Sequence, residues 1–284
     1  MRHQIAIVTD STCDIPIELR QEYQIKVVPL TIVWGEEQFR DGVDLDPEDF
    51  YQRLKKDPEI PTTSQPTPGE MQAAYEEVIK NGAEEIVVLT ISSAMSGTYE
   101  SACRAGKNVN VPVHVHDSRS NSMSLGWQVL AAARVREKGG DVQAMLEAAD
   151  QARQKMVYLI SLDTLKFLHK GGRIGGASHF IGNLLNLKPQ ISVNHQTGEV
   201  EGGRRSRTRK KALKELYQDF LNSIDSIENL RVAVLHNAAL DAAEELVEKI
   251  RDELDPEEII LSIVSPILGV HTGPGAVAIC GYPA

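Results

Sequence analysis

The chain has 284 residues, 42% of them hydrophobic, and its 30 basic against 40 acidic side chains leave a net charge of −10. That length suggests about two domains and a sizeable interior, while the acidic balance repels nucleic acid and anionic membrane surfaces on average. Its three cysteines, Cys13, Cys103 and Cys280, lie far apart with no C-x-x-C spacing; that argues against a disulfide framework or a zinc site and fits a reducing, cytoplasmic setting.

In chain order, Met1-Arg2-His3 leads directly into an apolar run at 4–9, too short for a signal-peptide core and readable as a first strand. It ends in Thr9-Asp10-Ser11-Thr12, after which Asp14 and Pro16 open a helix to about Tyr23. Residues 25–33, rich in Val and Ile, read as a second strand, and the stretch from Gly35 to Gly42 as a hairpin or extended arm. Asp46-Pro47-Glu48-Asp49 starts a helix with a cap, a proline in its first turn and acidic first-turn residues. Thr67 to Glu70 fits a capping box, with Pro68 at the first position of a helix running to about Asn81. Thr62, Thr63 and Ser64 are then left free in a proline-stiffened loop.

Residues 85–90 form an apolar run typical of a buried parallel strand. It feeds into Ser92, Ser93, Ser96, Thr98 and Ser101, five hydroxyls at the start of a helix that ends near Gly106. Unpartnered N–H groups and the helix dipole favour an anion there, in the crevice beyond the strand ends of an open α/β sheet. Gly97 would let a ligand approach the backbone, and Ser96 reads either as part of that site or simply as an N-cap. A strand at 111–116 and helices at 122–137 and 142–156 complete a strand–helix alternation.

Beyond residue 157 the alternation loosens. A strand at 158–162, a short helix at 164–170 and the glycine-rich turn 171–176 lead to an apolar helical segment at 180–187. A hairpin follows around Gln196-Thr197-Gly198, then a helix at 208–226, a strand at 231–236, a helix at 238–254 and strands at 258–264 and 276–280. His271-Thr272-Gly273-Pro274-Gly275 reads as a turn between the last two strands, its histidine fastening the loop or touching a ligand. The longest apolar stretch, 259–270, is broken by Ser262, Ser265 and Pro266 and is far short of a membrane span. The pattern predicts an α/β fold of two domains. Residues 1–156 form a doubly wound, mostly parallel sheet with a hairpin excursion; residues 157–284 form a mixed α/β domain.

The chemistry-bearing motifs are few. The 171–176 turn is neither G-x-G-x-x-G nor a P-loop, Ser96 is not in a G-x-S-x-G elbow, and no metal-ligand spacing occurs. Arg204, Arg205, Arg207, Arg209, Lys210 and Lys211 concentrate positive charge at a helix start, where cations have the wrong sign and need another partner. Without interleaved aromatics a single anion is favoured over nucleic acid.

Together, Thr9-Asp10-Ser11-Thr12-Cys13-Asp14, Thr63-Ser64-Gln65-Pro66-Thr67-Pro68, Ser96-Gly97-Thr98-Tyr99, Lys170-Gly171-Gly172-Arg173-Ile174, Leu187-Lys188-Pro189, Arg207 ahead of Arg209-Lys210-Lys211-Ala212, and His271 to Gly275 resemble the DegV family of bacterial fatty-acid-binding proteins along essentially the whole chain. The resemblance implies two α/β domains with a long-chain acyl tail, such as palmitate or oleate, in an internal tunnel and its carboxylate at the domain junction. It implies a carrier without catalytic machinery, cofactor or metal, and a separate fatty acid kinase catalytic subunit as the partner to which the acid is presented. Thr63 and Ser96 would hold the carboxylate, with Arg207 and His271 closing over it; Arg205 stands as an alternative to Arg207. Burying about fourteen methylenes is worth about 11 kcal/mol gross, which outweighs bringing in a carboxylate only if that group is hydrogen-bonded. Two other readings make different predictions: an enzyme with Ser96 or Asp10 as nucleophile and His271 as base, and a nucleic-acid-binding protein using residues 204–211.

Overall fold

A computed structural model describes residues 4–178 and 187–284. The apolar segment expected at 180–187 lies outside the described residues apart from Leu187. The first half is built on a parallel sheet in the order β2-β1-β6-β7, formed by β1 (Ile5–Asp10), β2 (Ile25–Val28), β6 (Glu85–Thr90) and β7 (Val113–Asp117). Helices α3 (Pro68–Lys80) and α4 (Thr98–Gly106) cover one face through Met71, Tyr75 and Ala102.

Residues 25–33, expected as one strand, are two strands in different sheets. β2 ends at Val28, and β3 (Thr31–Trp34) turns away to pair with β4 (Glu37–Arg40) and β5 (Thr62–Ser64). Pro29 has no N–H with which to continue the ladder, and the Leu30 N–H leaves the sheet to donate to Ser11 Oγ at 3.1 Å. The hairpin at Gly35 is present. Thr62, Thr63 and Ser64 are not free in a loop: they form the edge strand β5, with Thr63 opposite Ile32.

The second half is a mixed six-stranded sheet in the order β10-β9-β8-β13-β11-β12. Its strands are β8 (Val157–Ser161), β9 (Lys188–Val193), β10 (Val200–Ser206), β11 (Leu230–His236), β12 (Glu258–Ile263) and β13 (Val277–Pro283). Only β11 and β12 run parallel within it; β13 is antiparallel to both β11 and β8. Helices α8 (Arg209–Ser223) and α9 (Leu240–Leu254) pack on one face through Phe220, Leu216 and Ile250.

Between the two sheets runs α5 (Ser122–Glu137), touching β1 and β6 on one side and β13 on the other. Of its 16 residues 13 are buried. A helix with no polar face is one enclosed on all sides. Trp127 crosses the junction, its ring edge-on to Tyr282 at 6.0 Å and its Nε1 donating to the Cys280 carbonyl.

A second link holds the turn between β9 and β10. Ser92 Oγ donates to the Gly198 carbonyl at 2.8 Å, Arg119 to that of Gln196 at 2.9 Å, and Arg153, from α6 (Val142–Lys155), to that of His195 at 2.6 Å.

The third link is α10 (Pro266–Thr272), which takes in the end of the interrupted apolar run and the first two residues of the turn expected at His271. Pro266 occupies the first helical turn, where its missing N–H costs nothing. Residues 266–270 are all buried, so no amphipathic period marks the helix. Its start is held from the first half: Ser265 N–H donates to Asp14 at 3.0 Å and Ile267 N–H to Asp41 at 3.2 Å.

Candidate functional site

A cavity of about 190 Å³ opens between the two sheets, more than ten times the roughly 10–15 Å³ that one water requires on the same measure. Apolar side chains from both halves line it, Leu30 and Ile91 from the first and Tyr158, Ile191, Val193 and Ala278 from the second. Hydroxyl, amide, imidazole and guanidinium groups of Thr63, Gln65, Ser96, Arg173 and His271 line it as well.

Each polar group is set there by local structure. Edge strand β5 presents Thr63 at its centre. Ser96 sits in the turn between β6 and α4, its Oγ 2.8 Å from Thr98 Oγ1 and accepting from Thr98 N–H at 3.3 Å. The neighbouring hydroxyls are committed elsewhere: Ser92 binds Gly198 and Ser93 binds Asp117. Of the five anticipated, Ser96 alone lines the cavity.

The space left by the absent side chain of Gly97 holds Gln65. A Cβ there would meet the Gln65 carboxamide at 2.4 Å, and Gly97 N–H donates to Gln65 Oε1 at 3.1 Å. The expectation that a ligand approaches Gly97 is therefore corrected: an internal side chain does.

His271, in the last turn of α10, places Nε2 3.0 Å from Thr63 Oγ1. Its Nδ1 is buried with no partner among the described residues, pressed against Gly171, where a Cβ would approach it to 2.2 Å. An orphaned buried N–H is rarer and costlier than an orphaned acceptor, which assigns the ring proton to Nε2. The imidazole then donates to Thr63 and leaves the threonine proton for a ligand. Burial, followed by the nearby Arg173 charge, pushes the His271 pKa down to about 4, so the ring is neutral at pH 7.

Arg173 belongs to the glycine-rich turn and lines the exposed mouth. Its Nε donates to the Met95 carbonyl at 3.2 Å and its Nη1 to that of Gly171 at 2.8 Å. Those bonds orient its guanidinium.

Thr63, Ser96 and His271 thus share one cavity; Arg207 does not line it and lies exposed after β10. Three of the six cations in the cluster have carboxylate partners within the chain. Arg204 forms two bonds to Asp219 at 2.9 and 3.0 Å, Lys211 lies 3.7 Å from Glu215, and Arg209 lies 3.5 Å from Asp163. Asp10, the alternative nucleophile, is fully buried. Its carboxylate accepts from Thr12 and, at 2.7 Å, from Ile91 N–H, tying the ends of β1 and β6 together. Burial raises its pKa.

The family model described as "Uncharacterised protein, DegV family" matches residues 4–284. This chain belongs to the DegV family. A DegV domain-containing protein of Halalkalibacterium halodurans is 33% identical over 280 residues, 98% of each chain. Among solved structures, a DegV family protein from Thermus thermophilus, described by its fatty acid binding, superposes with a TM-score of 0.92 at 34% identity over 100% of both chains. DegV of Bacillus subtilis, described as a fatty acid binding protein, gives 0.90 at 32% identity over 99% of this chain and 100% of that one. The DegV fold accounts for the parallel sheet and the mixed sheet. Arg173 and Gln65 are cavity residues to which the sequence assigned no role, although both stand in the motifs that carry the family resemblance.

Proposed function

We propose that this protein is a carrier of a long-chain fatty acid, holding the acyl tail in the cavity and the carboxylate at its polar mouth. The observation that carries this reading is one cavity lined by apolar side chains from both halves together with the hydroxyls of Thr63 and Ser96, the His271 ring that contacts Thr63, and the Arg173 guanidinium. Thr63 and Ser96 offer neutral donors to the carboxylate, His271 keeps Thr63 in its donor role, and Arg173 supplies the charge-assisted donor. The Thermus and Bacillus relatives, described as binding fatty acids, support the choice of ligand. The tail provides affinity and the mouth selects an acid.

Because Arg173 and Gln65 are exposed, the head group sits within reach of a second protein, and the carrier presents it to an ATP-dependent fatty acid kinase. The protein itself is not the catalyst. Ser96 Oγ engages Thr98 rather than a histidine, and His271 faces Thr63.

Lipid extracted from purified protein is expected to contain a long-chain acid by mass spectrometry, and delipidated protein is expected to bind palmitate or oleate. Absence of both ends the carrier reading. Turnover of generic esters that disappears in Ser96→Ala would favour the enzyme instead.

A further inference from the structure

Gln65 has no role in the reading above, yet it occupies a particular position. It follows β5 directly, two residues after Thr63, and its side chain reaches across the mouth to the turn that carries Ser96. A backbone N–H only donates, so the atom that Gly97 N–H meets at 3.1 Å is the carboxamide oxygen. The amide orientation is therefore set by chemistry, with the NH2 group at the other end.

The second observation is steric and independent of that bond. The carboxamide fills the volume next to Gly97 that any Cβ would claim, 2.4 Å from both Nε2 and Oε1 and 2.7 Å from Cδ. Gly97 has φ −77° and ψ 10°, which any residue adopts. The backbone does not require glycine here; the seat for Gln65 does.

The two hydroxyl-bearing segments belong to different sheets: Thr63 to the three-stranded sheet, Ser96 to the turn after β6 of the parallel sheet. Beside the cavity mouth, the Gln65–Gly97 contact bridges them directly. We infer that Gln65 is a positioning residue, a strut that sets the spacing of the Thr63 and Ser96 hydroxyls and thereby the preference of the mouth for a carboxylate over an uncharged head group. This rests on the carboxylate reading proposed above. Two donors hold one carboxylate only if their separation matches its two oxygens, and small misplacements of preorganised groups are costly. An alcohol head group, needing a single partner, is indifferent to that spacing.

The test compares dissociation constants for hexadecanoic acid and hexadecanol on delipidated full-length protein. Wild type prefers the acid. Gln65→Ala, which removes the strut, and Gly97→Ala, which displaces it, each reduce the acid-to-alcohol ratio about tenfold, the loss of roughly one hydrogen bond to a charged group. In the double variant the ratio falls no further than in Gln65→Ala, because the carboxamide that the new Cβ would strike is gone.

A merely structural role would lower the melting temperature or weaken both ligands equally, leaving the ratio in place. An unchanged ratio in Gln65→Ala, or additive losses in the double variant, overturns the strut. Should Gly97→Ala not fold, Gln65→Ala decides alone. Wild type that binds neither ligand, or both equally, shows instead that the carboxylate reading itself has failed.

Discussion

At the scale of single residues, the cavity carries two neutral hydroxyls, Thr63 and Ser96, and the guanidinium of Arg173, and the carrier reading predicts a separate effect for each. Thr63→Val keeps the shape of the side chain and removes its proton; Ser96→Ala does the same for the second hydroxyl. Each is expected to weaken palmitate binding about tenfold to a hundredfold with the melting temperature unchanged, measured by calorimetric titration. The cation is decided by a pair of variants. Arg173 lines the cavity and Arg207 does not, so Arg173→Ala is expected to cost more affinity than either hydroxyl, while Arg207→Ala leaves the dissociation constant within a factor of two to three. Equal losses would put Arg207 back at the head group. Thr63, Ser96 and His271 were legible in the sequence as hydroxyls and an imidazole in proline- and glycine-bounded segments. Arg173 was not, because a charged residue in a glycine-rich turn gives no period or spacing to reveal what it faces.

At the scale of elements, α10 depends on two buried carboxylates from the other half of the chain. Burial raises Asp14 to about 6 and Asp41 to about 7, the hydrogen bonds from Ser122 and Ser265 to the first and from Ser11 and Ile267 to the second opposing the shift. A carboxyl whose folded pKa is raised binds its proton more tightly in the native state, so stability falls as pH rises between the ordinary value near 4 and the folded value near 7. Asp41→Asn keeps an oxygen to accept from Ile267 N–H and has no charge to bury. It is expected to flatten the stability–pH curve between about pH 4 and 7 and to gain about 2 kcal/mol at pH 8, read from urea unfolding. A loss at every pH would show that the carboxylate is not the destabilising form. The β9–β10 turn is the second such joint. Arg153→Ala removes the bond to the His195 carbonyl and the ion pair with Asp150, and is expected to cost about 1–2 kcal/mol and to speed amide exchange in β9 and β10 more than in β1 and β6.

At the scale of the whole molecule, the cavity exists because two sheets share one buried helix and still leave space beside it. Ala278 in β13 is one of the small side chains on its apolar wall. Ala278→Phe is expected to abolish binding of sixteen- to eighteen-carbon acids while retaining shorter ones. In wild type, palmitate at a hundredfold its dissociation constant should stabilise the fold by about 2.7 kcal/mol. A thermal shift of the same size in the phenylalanine variant would place the tail elsewhere.

The strands and helices of both halves were readable because each buries one face or both, and that leaves a period or an apolar run in the chain: β6, α5 and α8 fall within a few residues of their expected limits. Where a proline stopped one ladder and another began, as at Pro29, or where a seven-residue helix began inside an apolar run, as in α10, the local pattern carried no mark of it. The capping box at Thr67 is wholly local and was legible in full. The meeting of Thr63 with His271, 208 positions apart, and the seating of Gln65 over Gly97 were decided only by tertiary packing, of the three-stranded sheet against α10 and against the turn after β6. A hydrogen bond between distant segments is set by where the core brings them, and no stretch of sequence short enough to show a period contains both partners.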